Sequence, residues 1–133
     1  MTLRMAVPNK GRLNERAVEL LTKSGLDLGE DWGRKLVVRT INQDMEILFV
    51  RAQDIPRFVG SGAVDIGITG RDQVAEAKCN VTEMLELEFG YCRLSVAIPE
   101  GADCKSINCL PERPAIATSF PNLAADFFKS KGK

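Results

Sequence analysis

The sequence contains no histidine among its 133 residues. Histidine is the commonest general base near neutral pH and the usual partner of a nucleophilic serine or cysteine. Its absence excludes Ser-His and Cys-His nucleophilic catalysis. Chemistry in this chain therefore has to rest on placed charges and on carboxylates.

Cysteine is scarce and irregularly spaced. Cys79, Cys92, Cys104 and Cys109 form no C-x-x-C pair. Without histidine, a zinc site would need all four thiolates at irregular spacing, so metal binding by cysteine is disfavoured. We expect reduced thiols, with Cys92 in a strand, Cys79 near a helix end, and the other two in a loop.

Net charge and long apolar runs are also missing. The 18 Lys and Arg residues balance 18 Asp and Glu residues, so no overall field favours nucleic acid or an anionic membrane. Apolar runs such as 47–50 fall far short of the roughly 20 residues needed to cross a bilayer. The N-terminus reads as a strand and not as a signal peptide. We expect a soluble, cytoplasmic protein that binds neither nucleic acid nor membrane.

Short apolar segments alternate with amphipathic ones along the chain, which predicts an α/β fold with a largely parallel sheet. The expected helix caps are Asn14, Asp54 and Asn122, and Gly25 is expected to end the first helix. The expected strands cover 3–7, 35–41, 46–51, 62–70, 81–88, 92–99 and 114–118, and the expected helices cover 14–24, 55–61, 71–78 and 122–131, with Leu123, Phe127 and Phe128 facing inward.

The turn Lys10-Gly11-Arg12-Leu13 is the first candidate site. It lies between the carboxyl end of a strand and the amino end of a helix, where open α/β sheets bind ligands and free N–H groups favour anions. Two cations flanking a glycine there suit a phosphate. The string is neither a Walker A nor a G-x-G-x-x-G pattern, so spacing alone favours the alternative of a solvated basic loop.

Other candidates follow later strands. Arg51 ends an apolar strand on the same predicted edge, and arginine suits bidentate contact with phosphate oxygens. Asp65 lies in the apolar run 62–70, so its carboxylate should be paired or face a ligand; a local backbone hydrogen bond is the alternative. Thr118 and Ser119 repeat the strand-to-helix geometry with hydroxyl donors.

Five strings resemble, in order and spacing, the N-terminal portion of the ATP phosphoribosyltransferase family, which opens histidine biosynthesis. They are V-P-N-K-G-R-L at 7–13, E-I-L-F-V-R-A-Q-D-I-P at 46–56, G-A-V-D-I-G-I-T-G at 62–70, F-G-Y-C-R-L-S-V-A-I-P at 89–99 and I-A-T-S-F-P-N-L at 116–123. The resemblance implies a type II periplasmic-binding-protein-like fold of two lobes. It also implies a reaction of ATP with phosphoribosyl pyrophosphate, assisted by substrate-bound Mg²⁺, that gives N1-(5-phosphoribosyl)-ATP and pyrophosphate.

The resemblance also assigns roles to residues. Arg51 and Lys10 are the expected catalytic residues, with Arg51 neutralising the departing pyrophosphate, and Arg34 matches an arginine that reaches a neighbouring subunit's site. A homo-oligomer, either dimer or hexamer, is expected, and a regulatory subunit is compatible with the family. The substrate-binding residues expected are Lys10, Gly11, Arg12, Leu13, Arg34, Asp65, Gly70, Thr118 and Ser119.

The chain departs from the family pattern at its end. The helix at 122–131 is followed only by two residues, although a βα unit normally returns to a further parallel strand. We therefore expect a near-complete first lobe at 1–90 and a truncated second lobe at 91–133. The Gly/Thr-rich loop that the resemblance implies for the 5′-phosphate is not present, so these residues alone are expected to lack activity.

Two alternatives to the enzyme remain open. The same two-lobed fold serves non-catalytic solute-binding or ligand-sensing modules, because fold alone does not fix function. The basic residues at 10–12 and 51 favour the enzyme, since a receptor for neutral solutes does not need them. An interaction protein that recruits a partner through a sheet edge has no specific support.

Overall fold

The computed structural model describes residues 1–133. The chain divides into two compact units, Met1–Tyr91 and Cys92–Lys133, which are described separately. The first unit contains, in chain order, β1 Leu3–Pro8, α1 Gly11–Lys23, a 3₁₀ turn Trp32–Arg34, β2 Val37–Arg39, β3 Met45–Val50, α2 Ile55–Gly60, β4 Ile66–Gly67 and α3 Arg71–Ala77. The second unit contains a 3₁₀ turn Ile107–Cys109 and α4 Pro121–Ser130.

The first unit is built on a four-stranded sheet in the order β2-β3-β1-β4. Strand β1 runs parallel to β3 and β4, whereas β2 is antiparallel to β3. Ala6, Val7 and Ile47 on the central strands are completely buried. The mixed α/β class is confirmed, and the turn at 42–44 joins β2 and β3 as a hairpin.

Helix α1 covers one face of the sheet because its apolar side chains recur at helical spacing. Ala17 and Leu21 are buried against the core. The helix ends as predicted at Gly25, whose φ of +98° is disfavoured for residues with a Cβ and whose N–H donates to the Thr22 carbonyl at 3.0 Å.

Of the three predicted helix caps, only Asp54 takes the cap position. Helix α1 starts at Gly11, three residues before the expected cap Asn14. Asp54 occupies the cap position of α2 without a capping hydrogen bond, and Phe120 takes the position expected near Asn122. Helix propensity at short polar turns is a weak local signal, and tertiary contacts of these side chains decide the outcome.

The fully buried strand expected at 62–70 is also wrong, because β4 has only two residues. The segment before it is exposed apart from Val64. At Gly67 the packing is tight, since an added Cβ would lie 2.5 Å from Cγ2 of Ile55 on α2. The absence of a side chain at this position therefore lets α2 lie directly on the sheet.

The three strands expected at 81–88, 92–99 and 114–118 do not form. Their apolar alternation is real, but Leu94, Val96 and Ile98 are 53%, 50% and 43% exposed. A strand persists only within a hydrogen-bonded ladder, and no other segment of the chain pairs with these residues. The pattern is thus a strand pattern without a partner.

The second unit differs from expectation at two further points. Cys104 and Cys109 form a disulfide with their Cα atoms 5.7 Å apart, so the expectation of four reduced thiols was wrong. On α4, Phe128 is buried as predicted, whereas Phe127 is 43% exposed and packs edge-on against it. No helix of the chain combines the length and the apolar character that crossing a membrane requires.

Candidate functional site

The carboxyl ends of the three parallel strands come together on one edge of the sheet. The register pairs Pro8 with Val50, and the N–H of Asn9 donates to the Val50 carbonyl at 2.9 Å. The Thr69 hydroxyl, which follows β4, donates to the carbonyl of Ala52, which follows β3, at 2.8 Å. These bonds fix the three strand exits relative to one another, and ligands of open α/β sheets bind at such an edge.

The loop after β1 presents cations at this edge. Gly11 has a φ of +78°, which a side chain would make costly, and it turns the chain directly into α1. Lys10 and Arg12 flank it, both exposed, and neither side chain forms an ion pair or a hydrogen bond with the rest of the chain. Their charge is therefore available to an anion, next to the first N–H groups of α1.

Arg51 lies immediately after β3, beside this loop. Its Nε donates to an Asp54 carboxylate oxygen at 2.9 Å, which orients the guanidinium. The arginine side chain is 63% exposed and the aspartate 29%. The terminal guanidinium nitrogens form no hydrogen bond within the chain, so they remain available as a fork for phosphate oxygens.

A cleft of about 320 Å³ opens beside the same loop. Its walls include the Trp32 and Phe49 rings, which stack with their centroids 5.5 Å apart and their planes 28° apart. Arg34 lines the cleft without an ion-pair partner. The full lining is Asn9, Asn14, Trp32, Gly33, Arg34, Lys35, Leu36 and Phe49.

The cleft contains residues that sequence reasoning missed. Asn14 was assigned only as a helix cap, but it lines the cleft and its amide donates to the Pro8 carbonyl at 2.8 Å. Trp32 is the one tryptophan of the chain, and its position two residues before Arg34 was a usable signal. Asn9 and Phe49 carried no such signal.

Two predicted site residues have other local roles. The Asp65 carboxylate accepts a hydrogen bond of 2.9 Å from the N–H of Arg4. Arg4 is near the start of β1, so Asp65 is at the opposite end of the strand from Lys10, and its bond matches the expected alternative of a backbone hydrogen bond. Gly70 occupies the cap position of α3, where an added Cβ would collide with the Asp72 carboxylate.

Leu13, Thr118 and Ser119 complete the predicted set. Leu13 is half-buried in the first turn of α1, and its side chain leaves no room for a Cβ at Gly90, with only 2.9 Å between them. Thr118 and Ser119 are exposed in the second unit, where the Thr118 hydroxyl accepts from the N–H of Phe120 at 2.9 Å. They lie just before α4, as predicted, and are described only within that unit.

This arrangement can bind a polyanion but offers no acid-base pair. Cations dominate the edge, the stacked rings form an apolar wall, and Asp54 is engaged by Arg51. No group of three or more His, Cys, Asp or Glu side chains is placed to hold a metal ion. The chemistry that these residues support is charge neutralisation and positioning.

Comparison with known proteins identifies relatives along nearly the whole chain. A family model described as "HisG: ATP phosphoribosyltransferase" matches residues 51–133. The ATP phosphoribosyltransferase of Methanopyrus kandleri is 48% identical over 128 residues, which are 96% of this chain and 45% of that protein. The enzyme of Natronomonas pharaonis is 42% identical over 133 residues, 98% of this chain and 46% of that protein.

A solved structure of an ATP phosphoribosyl transferase also resembles the chain. The ATP phosphoribosyl transferase (HisG:HisZ) complex from Thermotoga maritima matches with a TM-score of 0.76 and 29% identity, over 98% of this chain and 60% of the matched one. The chain spans about 45% of the length of its Methanopyrus relative. From the matched family model and these relatives, the chain belongs to the ATP phosphoribosyltransferase family.

Proposed function

We propose that these residues form part of a glycosyltransferase that condenses ATP with phosphoribosyl pyrophosphate. The products are N1-(5-phosphoribosyl)-ATP and pyrophosphate, in the first step of histidine biosynthesis, which we place in the cytoplasm. The observation that carries the proposal is the gathering of Lys10, Arg12 and Arg51 at the carboxyl edge of a sheet. Family membership supplies the reaction, and this edge supplies the charge that its two polyphosphate substrates require.

In this reaction N1 of adenine attacks C1 of the ribose as pyrophosphate leaves. Negative charge then accumulates on the departing oxygens, and a fixed guanidinium stabilises that charge more than it stabilises the bound substrate. Arg51 suits this role because Asp54 orients it from one side. Lys10 is the second candidate catalytic cation, and Arg12 and the Gly11 turn would bind phosphate.

The cleft beside Trp32 supports a further part of the proposal. Its volume of about 320 Å³ is at the small end of the range for small-molecule sites, and an aromatic wall suits the flat face of a nucleotide base. Arg34 lines the same cleft as Asn9 of its own chain. This placement supports a role for Arg34 in its own subunit's site, in addition to the neighbouring site that the resemblance implies.

The larger assembly is also a proposal. We infer a two-lobed fold of the type II periplasmic-binding-protein kind, with residues 1–90 as most of the first lobe and 91–133 as the start of the second. The unpaired strand pattern around 94–98 is consistent with such a second lobe. The Thermotoga neighbour was solved as a HisG:HisZ complex, which supports a homo-oligomer with a regulatory subunit for this chain.

Mg²⁺ fits this scheme as part of the substrate. Magnesium is commonly held through one or two carboxylates plus substrate phosphates, retaining several waters. The chain's carboxylates form no cluster of three, so its residues suit an ion that arrives on the polyphosphate. The ion would reduce the charge that Lys10 and Arg51 have to neutralise.

We expect the 133 residues alone not to turn over. Alignment of two substrates can supply roughly 7 to 11 kcal/mol of a barrier, and the Gly/Thr-rich phosphate loop that the family resemblance implies lies outside these residues. A coupled assay for pyrophosphate release should therefore read as background. A release rate near that of full-length relatives would show that residues 1–133 suffice.

Nucleotide binding by the chain tests the site without requiring turnover. ATP should bind weakly in calorimetric titration, AMP more weakly, and a neutral amino acid not at all. The double variant Lys10→Ala/Arg12→Ala should lose the ATP signal, while Arg16→Ala/Lys23→Ala removes the same charge from positions further along α1 and should retain it. Binding should also weaken as salt rises past about 0.15 M, where the Debye length is roughly 8 Å.

The same titration separates the enzyme from the solute-binding module. If the amino acid binds more tightly than ATP, the module is the better description of this chain. If ATP binds but the Lys10/Arg12 double variant binds it equally well, the basic loop is not the phosphate site. Circular dichroism on each variant establishes that loss of binding is not loss of folding.

A further inference from the structure

Cys104 and Cys109 lie in the loop 101–111 of the second unit, where they form a disulfide. Their Cα atoms are 5.7 Å apart, close to the commonest separation in protein disulfides. The 3₁₀ turn Ile107–Cys109 curls the chain back so that the two sulfurs meet. The loop backbone is thus already shaped for the bond.

Both sulfurs of the disulfide lie near one backbone acceptor. The sulfurs of Cys104 and Cys109 lie 3.2 and 3.0 Å from the carbonyl oxygen of Ser106. On reduction the two sulfurs must move apart, and an S–H that stays near this oxygen can donate to it. The turn itself is held independently, because the Ser106 hydroxyl accepts from the N–H of Asn108 at 3.1 Å.

Access and loop length both favour exchange over a permanent bond. Cys109 is exposed and Cys104 half-buried, so a small disulfide or thiol can reach them. The two cysteines are separated by only 5 positions, and closing so short a loop adds less entropic stability than closing a long one. Exposed disulfides of this kind are generally the labile ones.

We propose that Cys104 and Cys109 form a reversible thiol-disulfide exchange site for low-molecular-weight disulfides such as glutathione disulfide. The Cys109 thiolate attacks one sulfur of glutathione disulfide, which releases one glutathione and leaves a mixed disulfide. The Cys104 thiolate then attacks the Cys109 sulfur and expels the second glutathione. Two protein thiols are oxidised by two electrons, one glutathione disulfide is reduced, and the two thiol protons end on the two glutathiones.

The disulfide constrains the loop around Lys105 in the second unit. Just after Cys109, the Leu110 carbonyl accepts a hydrogen bond of 2.7 Å from the Lys133 ammonium, which ties the loop to the residues after α4. Lys105 lies inside the disulfide ring and is exposed. Oxidation should therefore restrict the backbone around Lys105, and reduction should release it.

The test uses the 133-residue chain in buffers of increasing glutathione disulfide relative to glutathione. Acid quenching and alkylation should show two of the four cysteines becoming protected, and peptide mapping should place the link between 104 and 109. Trypsin cleavage after Lys105, read after reduction of the digest, should be about tenfold slower in the oxidised chain. Reduced dithiothreitol should restore both alkylation and cleavage.

Cysteine variants test whether the link requires both Cys104 and Cys109. Cys104→Ser should stop at a mixed disulfide of Cys109 with glutathione and Cys109→Ser should form no internal link, and both should keep Lys105 rapidly cleaved, whereas Cys79→Ser should behave as the original chain. Thiols that stay alkylatable in excess glutathione disulfide would overturn the proposal. A bond that resists excess dithiothreitol would overturn it too, because the disulfide would then be permanent, and so would a link through Cys79 or Cys92.

Discussion

The side-chain amide of Asn14 donates a hydrogen bond of 2.8 Å to the carbonyl oxygen of Pro8. This bond joins the last residue of β1 to the end of the first turn of α1 and spans the turn that carries Lys10 and Arg12. Because Pro8 is buried and Asn14 half-buried, water cannot fully replace the bond. The turn proposed to bind phosphate is thus held closed by a residue that is itself part of the cleft wall.

Asn14→Ala should therefore lower the free energy of unfolding by about 1 kcal/mol. It should also lower the affinity for ATP. The Pro8 carbonyl would lose its side-chain partner, and the turn would sample more conformations. Urea unfolding and calorimetry measure the two effects. Glu15→Ala removes an exposed neighbour that forms no ion pair and should change neither; equal effects of the two substitutions would mean that the Asn14 bond contributes nothing specific.

Gly67→Ala should destabilise the chain by about 1 to 3 kcal/mol, the range for overpacking a filled core. The added methyl would lie 2.5 Å from Cγ2 of Ile55 and 3.1 Å from Cγ2 of Val59, both on α2. β-branched side chains have few alternative rotamers, so the helix would have to shift.

Gly33→Ala is the matched control for this substitution. Its added methyl would meet no atom within 4 Å, and its backbone does not require a positive φ. The urea midpoint should move for Gly67→Ala and stay for Gly33→Ala. An unchanged midpoint for Gly67→Ala would show that α2 does not pack on β4 as tightly as described.

The features predicted from sequence were those encoded locally. Strand β1 and helix α1 follow from runs of apolar residues at strand and helix spacing, and Gly25 ends the helix because its backbone needs a positive φ. The hairpin between β2 and β3 follows from the polar turn that separates them. These signals lie within about a dozen residues, so no knowledge of the rest of the chain was needed.

The features missed depend on distant partners. The alternation of Leu94, Val96 and Ile98 is a strand pattern, but pairing is a property of two segments, and the second one cannot be read from the first. The link between Cys104 and Cys109 needs the intervening 3₁₀ turn, which spacing alone does not reveal. Both errors came from treating tertiary outcomes as local ones.

The candidate site likewise contains residues that the sequence predicted and residues that it did not. The cations of the first turn and Arg51 were predicted because strand ends of a parallel sheet share one edge. The stacking of Trp32 on Phe49 brings together residues 17 positions apart, and no periodicity links them. Sequence therefore predicted the charge of the site but not the walls of the cleft.

Stability in acid should depend on Glu83. Hydrogen bonds from Arg71 at the start of α3 lower the pKa of Glu83 below the ordinary glutamate value of 4.5. Because the folded-state pKa is depressed, the stabilisation is present above pH 4.5 and is lost as the pH falls through the folded value. Segment 79–91 should loosen from α3 in that range.

An NMR titration of the Glu83 carboxyl and hydrogen exchange of 79–91 measure this directly. Glu83→Gln should remove the acid-dependent loosening and leave the segment less protected at every pH. Glu15→Gln changes an exposed glutamate in α1 that forms no ion pair, and it should leave the pH dependence intact. A Glu83 midpoint at or above the ordinary value would contradict the ion pair.

Arg51 provides the sharpest test of the proposed chemistry, in a polypeptide of full family length that contains these residues. If its guanidinium stabilises departing pyrophosphate, Arg51→Ala should raise the activation free energy of the chemical step by about 2 to 4 kcal/mol. Nucleotide affinity should change much less. Single-turnover kinetics separates the two quantities. Arg51→Lys should recover only part of the rate, because an ammonium is a point charge without the planar fork.

Variants of Asp54 and Arg57 serve as companions to Arg51→Ala in the same kinetic experiment. Asp54→Asn weakens the bond of 2.9 Å that orients Arg51, so the chemical step should slow by less than in Arg51→Ala. Arg57→Ala removes an exposed arginine on α2 and controls for the loss of one positive charge. Because Arg51 follows a strand at the shared edge and Arg57 lies within α2, the chemical step should slow in Arg51→Ala and not in Arg57→Ala. Equal rates for the two variants would reassign Arg51 to a structural role with Asp54.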